Sequence, residues 1–316
     1  MKNKKTIHIK YVDYWHGFDY RREYFWNLLS AEYNVIYSEE EPDYIIYSNY
    51  GLEHLNYDCI KIFVSYENER PNFDICDFAI TSDYCNKKNH YQLPVFATIL
   101  DKQALINTDK DALFEDWKSR KEFCSFVVSN GKCQERIDFF NFLRENYIKV
   151  RSGGKILNNV GGTVSDKLEF LRKHKFNIAF ENSSYPGYLT EKITDAFVAN
   201  TIPIYWGDIK VSQYFNEKRF IRIDSYSSNQ SLLTDIKRIM TNDELAYSII
   251  SQPIFVNDSI PKSLEELNIV EFFAHIFNTK VYRSPIVKFT KKIKFKYNFY
   301  LGKLPVKYYG KSESFR

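Results

Sequence analysis

Between Lys175 and Asp208 the chain reads KFNIAFENSSYPGYLTEKITDAFVANTIPIYWGD, and this stretch holds the residues best suited to chemistry. Phe176 to Phe180 has the continuous apolar character of a buried strand. It ends at Glu181 and Asn182, the carboxyl edge at which open α/β sheets bind their ligands. A turn through Ser183, Ser184, Tyr185, Pro186 and Gly187 follows, and Thr190 is suited to cap the next helix. Glu191 and Lys192 then fall in that helix's first turn. A cation there opposes the helix dipole at a cost of ~0.3–1 kcal/mol. The cost makes sense if Lys192 and the free backbone N–H groups together hold an anion such as a diphosphate. A solvated lysine on an ordinary helix is the other reading of the same spacing.

Other candidate constellations are weaker. Gly153, Gly154, Gly161 and Gly162 flank a loop without the spacing of G-x-G-x-x-G or of a P-loop. A simple dehydrogenase or ATPase therefore loses support, and a ligand loop and a bland turn stand equal. Cys59, Cys76, Cys85, Cys124 and Cys133 form an odd set with no C-x-x-C pair, and the six histidines show neither H-E-x-x-H nor H-x-H. No structural metal and a reducing compartment are the expectation. The opening MKNKKTIHIKYVDYW contains no apolar run of the signal-peptide kind, and nowhere do ~18 apolar residues follow one another. A chain without export signal or membrane span, soluble or peripheral, is expected.

The elements that must position these residues read as two α/β series. In the first, strands are predicted at Thr6 to Val12, Tyr33 to Tyr37, Tyr44 to Tyr47, Lys61 to Ser65 and Phe78 to Thr81, with a helix over Tyr20 to Ala31. The polar stretch Asp101 to Lys121 breaks this pattern and reads as a linker. The second series alternates strands at Phe123 to Ser129, Ile148 to Val150, Phe176 to Phe180, Ile202 to Tyr205 and Phe220 to Ile223 with helices at Glu135 to Asn146, Asp166 to Lys173 and Glu191 to Asn200. Three helices close it, at Ser231 to Met240, Asp243 to Ser251 and Ser263 to Phe277. Two doubly wound, mostly parallel domains are expected, with a ligand cleft between them. A length of 316 residues suits two domains, and 44% hydrophobic residues supply both cores and exclude disorder for most of the chain.

The run F-E-N-S…Y-L-T-E-K followed by I-P-I-Y-W-G resembles the signature of the α-1,3/4-fucosyltransferases, glycosyltransferase family 10, of the bacterial type. KIFVSYENERPNFDICDFAI at Lys61 to Ile80 and SFVVSN…R at Ser125 to Arg136 agree in order, while the first ~55 residues match loosely. The resemblance implies a GT-B fold of two Rossmann-like domains: residues 1–118 an acceptor-binding domain with linker, 119–285 a GDP-fucose domain, and 286–316 a tail. It implies donor contacts at Arg136, Asn182, Tyr188, Glu191 and Lys192. Arg136 and Lys192 can neutralise the departing diphosphate, the task other enzymes give to Mg²⁺. Glu191 can accept from the ribose diol or face positive charge on the sugar, and both roles stay open. Arg136 on its own reads equally as a helix-surface charge.

Inverting transfer also needs a base for the acceptor hydroxyl. The resemblance places it at Glu67, in E-N-x-x-P-N-F form, at the carboxyl end of a predicted strand facing the cleft; Glu69 is the rival. Asn68, Pro71 and Phe73 read as turn and packing residues. Gly187 departs from the acidic residue that several family members carry before the motif's tyrosine. No metal is implied as required, with Mn²⁺ at most a non-essential stimulant. The D-x-D at Asp109 to Asp111, the metal-holding spacing of another transferase fold, follows no buried strand and reads as solvated charge. The implied reaction moves L-fucose to O3 of GlcNAc or Glc in a Lewis-type bacterial surface polysaccharide. The alternatives are a GT-B transferase using another GDP-sugar and a non-catalytic glycan-binding relative.

The charge distribution is uneven. From Lys288 to Arg316 nine Lys or Arg meet Glu313 alone, a net of +8, which leaves −4 on residues 1–287. With aromatics interleaved, that tail suits an anionic membrane surface, and a cytoplasmic enzyme peripheral to the inner membrane is the expectation. The whole-chain charge of +4 does not announce a nucleic-acid partner.

Overall fold

A computed structural model of the chain describes residues 4–106 and 109–280. The chain forms two compact units, one built from residues up to Leu93 together with those from Lys262, the other from Pro94–Pro261. The first contains β1 (Thr6–Val12), α1 (Tyr24–Glu32), β2 (Asn34–Tyr37), β3 (Tyr44–Tyr47), β4 (Ile60–Val64), β5 (Phe78–Thr81) and β6 (His90–Gln92). Its six strands lie in the order β2-β1-β3-β4-β5-β6 and every pair is parallel. The segment YIIY of β3 is buried at all four positions, as a strand covered on both faces demands. The edge strand β6, with sequence HYQ, has no apolar run and was not among the expected strands.

The second unit contains α2 (Phe96–Ile99), α3 (Lys110–Ser119), β7 (Glu122–Phe126), α4 (Gln134–Asn146), β8 (Val150–Ser152), α5 (Lys167–Leu171), β9 (His174–Phe180), α6 (Glu191–Val198), β10 (Ile202–Trp206), β11 (Ile221–Arg222), α7 (Asn229–Thr241) and α8 (Asp243–Ile250). Its sheet runs β11-β10-β9-β7-β8, again parallel throughout. The core gathers Phe126, Phe139 and Phe176 with Ile178, Ile204 and Leu232. β9 sits centrally, so the residues that follow its last position emerge at the middle of the sheet's carboxyl edge.

Two organisational expectations are corrected. The stretch read as a linker holds α3, whose Phe114 and Trp117 are buried and whose Trp117 Nε1 donates to Lys175 O at 2.8 Å. The unit boundary therefore falls at Leu93 and Pro94 instead of 118 and 119. Asp109 caps α3 by accepting from Ala112 N at 2.9 Å, and Asp111 accepts from the Tyr247 hydroxyl at 2.9 Å, so the D-x-D marks a helix start. The last described helix, α9 (Glu266–Asn278), belongs to the first unit and not the second. Phe273 packs 5.6 Å from Phe25 of α1, and Phe277 lies 4.7 Å from Tyr44 of β3. Periodicity shows that a helix has an apolar face, but not which sheet that face covers.

Among the described residues no helix is long and apolar enough to cross a membrane. The tail from 286 lies outside the described residues.

Candidate active site

Glu181 follows β9 directly and is 0% exposed. Its backbone N–H donates to Trp206 O at 2.9 Å, continuing the ladder to β10. Its carboxylate accepts from Thr190 N at 2.8 Å and from Thr190 Oγ1 at 2.6 Å, and Lys192 Nζ lies 3.2 Å away. Thr190 does occupy the N-cap position of α6, but its side chain makes no capping bond; its hydroxyl donates to Glu181 and accepts from Lys192 Nζ instead. Lys192 also donates to Thr190 Oγ1 at 2.8 Å and lies 3.4 Å from Glu191 Oε1. Burial works against its charge, but Glu181 and Glu191 together hold the ammonium above its ordinary range. Glu191 is held charged by the same balance with the signs reversed. Burial favours its neutral form, yet Lys192 and Lys167 hold it below the usual carboxylate range.

Arg136 stands in the first turn of α4 and is 1% exposed, so it is no helix-surface charge. Its Nη2 donates to Phe180 O at 3.0 Å and to Asn182 Oδ1 at 2.8 Å, and its Nη1 to Asn130 O at 3.3 Å. Among the described residues no carboxylate lies within ion-pair distance of it, and its Nε, also buried, has no partner. A buried cation answered only by neutral oxygens is costly. The cost is recovered when an anion arrives. Arg136 also repels Lys192, which places the two cations in one neighbourhood. The arrangement suits a doubly charged phosphate ligand, with Asn182 oriented by Arg136.

The turn between β9 and α6 is held from below. Ser184 Oγ donates to Gly207 O at 2.7 Å, and the buried Asp208 accepts the backbone N–H groups of Gly187 and Lys210. Gly187 has φ +92°, a conformation L side chains rarely adopt, so an acidic residue at this position would be strained on this backbone. A Cβ at Gly207 would lie 2.5 Å from Glu181 Cγ, so that glycine is what lets the carboxylate fold under the turn. Tyr188 is buried at 2% exposure on the same turn. Of the five expected donor contacts, Arg136, Asn182, Glu191 and Lys192 are thus brought together by α4, β9 and α6, with Tyr188 on the connecting turn. Glu181 marks only a strand's end in the sequence and Asp208 has no sequence signature of its own, although both lie just past strand ends within the stretch singled out there. The loop of Gly153 to Gly162 is closed on itself by Asn158, whose Nδ2 donates to Gly154 O and Gly162 O.

Glu67 lies in the first unit, three residues beyond β4, half-buried in a tight turn. Ser65 Oγ receives the Glu67 N–H at 3.1 Å, and Glu67 O receives the Glu69 N–H at 2.8 Å. The preceding Tyr66 hydroxyl donates to the buried Glu23 at 2.5 Å, fixing the backbone that carries Glu67. Glu69, the rival, lines an open cavity of about 570 Å³ with Arg70, Phe73, Asp74 and Lys87, a lining to which Glu67 does not contribute. Among the described residues no group of three or more His, Cys, Asp or Glu could hold a metal ion.

Two all-parallel α/β units, with charged residues gathered where the central strand of the second ends, give a two-domain α/β fold of the GT-B type. Residues 9–99 match the α-(1,3)-fucosyltransferase FucT N-terminal domain, and 117–249 the glycosyltransferase family 10 (fucosyltransferase) C-terminal domain. The chain belongs to glycosyltransferase family 10. It is 32% identical over 271 residues to a protein of Acanthamoeba polyphaga mimivirus that carries the fucosyltransferase name, covering 78% of this chain and 44% of that one. It is 32% identical over 214 residues to the α-(1,3)-fucosyltransferase FucT of Helicobacter pylori, covering 58% of this chain and 44% of the relative. The chain thus spans under half the length of these two relatives. The crystal structure of an α1,3-fucosyltransferase with GDP superposes with a TM-score of 0.77 at 25% identity, over 89% of this chain and 92% of the other.

Proposed function

We propose that the protein transfers L-fucose from GDP-fucose, with inversion, to a hydroxyl of a glycan acceptor, O3 of GlcNAc or Glc. The observation that carries this reading is Arg136, buried without a carboxylate and bonded to Asn182 beside Lys192, in a family 10 chain. The acceptor oxygen attacks the anomeric carbon of fucose from the face opposite GDP. As that bond forms, the bond from carbon to the diphosphate oxygen breaks and its electron pair leaves with GDP. Arg136 and Lys192 stabilise the growing diphosphate charge. Glu191, held ionised, serves the ribose diol or the positive charge on the sugar, and Asn182 and Tyr188 supply neutral hydrogen bonds. Glu67 takes the proton that the acceptor hydroxyl loses.

The test is incubation with GDP-fucose and a panel of β-galactosyl, GlcNAc and Glc acceptors, with product linkage read by NMR. An α-1,3-linked fucose is the expected product. GDP release from other GDP-sugars but not from GDP-fucose would overturn the donor, and no transfer to any acceptor would overturn the activity.

Because side chains and not a metal neutralise the diphosphate in this proposal, transfer should proceed in excess EDTA at an undiminished rate, with Mn²⁺ at most stimulating it. Complete loss with chelator, restored by Mn²⁺, would count against this donor site. The acceptor as a precursor of a surface polysaccharide goes with a protein working at the cytoplasmic face of the inner membrane. The net charge of +8 from Lys288 to Arg316 supports that placement. A chain ending at Val287 should no longer cosediment with anionic vesicles, and equal cosedimentation of both chains would refute the membrane role.

A further inference from the structure

In the first unit the loops after β1, β3 and β4 leave neighbouring strands at the same sheet edge. Asp13 ties the first two together. Held at φ +60°, it accepts from Glu53 N at 2.8 Å through one carboxylate oxygen, and from His54 N and Nδ1 at 2.9 and 2.6 Å through the other. Its carbonyl accepts from Tyr50 N at 2.9 Å. Residues 13–18 and 48–54 are therefore clamped to each other by a buried carboxylate and do not move apart freely.

Each clamped loop carries a large aromatic into solvent. Trp15 is 43% exposed and Tyr50 36% exposed, with ring centroids 5.9 Å apart at an interplanar angle of 76°. Trp15 is also held edge-on by Phe18 at 5.1 Å and by Tyr66 at 6.2 Å, and Tyr66 immediately precedes Glu67. Burial, and then the Glu67 carboxylate, push the Tyr50 phenol up to about 12, so the carboxylate lies within electrostatic reach of the phenol, which stays neutral at working pH. A single exposed aromatic needs no explanation. Two, fixed by a buried clamp beside the residue assigned as base, do.

A pyranose ring has a face of C–H bonds whose positive edge complements the negative face of an aromatic ring, while its hydroxyls remain at the rim to hydrogen-bond. We propose that Trp15 and Tyr50 form the acceptor subsite of this unit, on which one hexopyranose ring of the glycan stacks so that its reactive hydroxyl is presented to Glu67. The inference rests on the fucosyl-transfer reading and adds to it the residues that select a sugar acceptor over any other alcohol.

The probe is N-acetyllactosamine. Trp15→Ala and Tyr50→Ala should each raise the acceptor KM by about tenfold, with the Kd for GDP-fucose unchanged, and Trp15→Phe should recover most of the loss. A KM within twofold of wild type in both alanine variants would overturn the subsite while leaving the fucosyl-transfer reading intact. Saturation-transfer difference NMR with the disaccharide alone decides the matter without donor or turnover. Signals from the sugar C–H protons that appear with wild type and vanish with Trp15→Ala support the proposal. Equal signals in both proteins, or none with wild type, refute it even if transfer itself is never observed.

Discussion

Glu67→Gln lowers kcat by roughly 10²–10⁴-fold while leaving the Kd for GDP-fucose unchanged. The substitution keeps the shape of a half-buried side chain in a turn held by Ser65 and by the Tyr66 bond to Glu23, so folding is spared and only proton acceptance is lost. Glu69→Gln is the control, since that carboxylate lines the neighbouring cavity and keeps near wild-type turnover. Stopped-flow donor binding and steady-state transfer on N-acetyllactosamine separate the two effects. Full turnover in Glu67→Gln with collapse in Glu69→Gln would reverse the assignment.

The second large effect divides the two cations of the donor site. Arg136→Ala removes a charge that no described carboxylate answers, so kcat/KM for GDP-fucose falls roughly 10²–10³-fold, and the stability lost is that of its packing and of its bonds to three neutral oxygens, with no carboxylate left unpaired. Lys192→Ala should lose activity on the same scale and stability as well. It leaves Glu181, fully buried, with its charge unpaired, at a cost of about 3–5 kcal/mol. Pairing Lys192→Met with Glu181→Gln should restore most of the stability and none of the activity. Urea denaturation alongside GDP titration checks both halves. A double variant as unstable as Lys192→Ala would show that the pair does not carry the fold as argued, and full activity in it would remove Lys192 from the donor site.

The stretch from β9 to β10 was legible because its strand, turn and helix each have a local signature, so Asn182, Glu191 and Lys192 fell where expected. Arg136 had no such signature. Its position in a helix's first turn reads equally well as surface charge, and only the approach of Phe180 O and Asn182, more than forty residues later, makes it a buried cation. Glu181 was read as marking a strand's end; its role depends on Gly207 leaving room and on Thr190 turning inward, both set by tertiary packing. α3 was missed because half of its ten residues are charged and its buried face rests on Phe114 and Trp117 alone. Trp15 and Tyr50, thirty-five residues apart, meet only because β1 and β3 are sheet neighbours.

The return of α9 to the first sheet has a consequence for how the chain comes off the ribosome. Phe273 and Phe277 cover Phe25 and Tyr44, laid down more than two hundred residues earlier, and Lys5 donates to Phe277 O at 2.9 Å. The first unit to begin synthesis is thus the last to be finished. Until residues near 278 are released, its sheet carries an uncovered apolar face, while the second unit already has every strand and helix it needs. Long-range closure of this kind slows folding and leaves the early sheet the segment in need of a chaperone's protection.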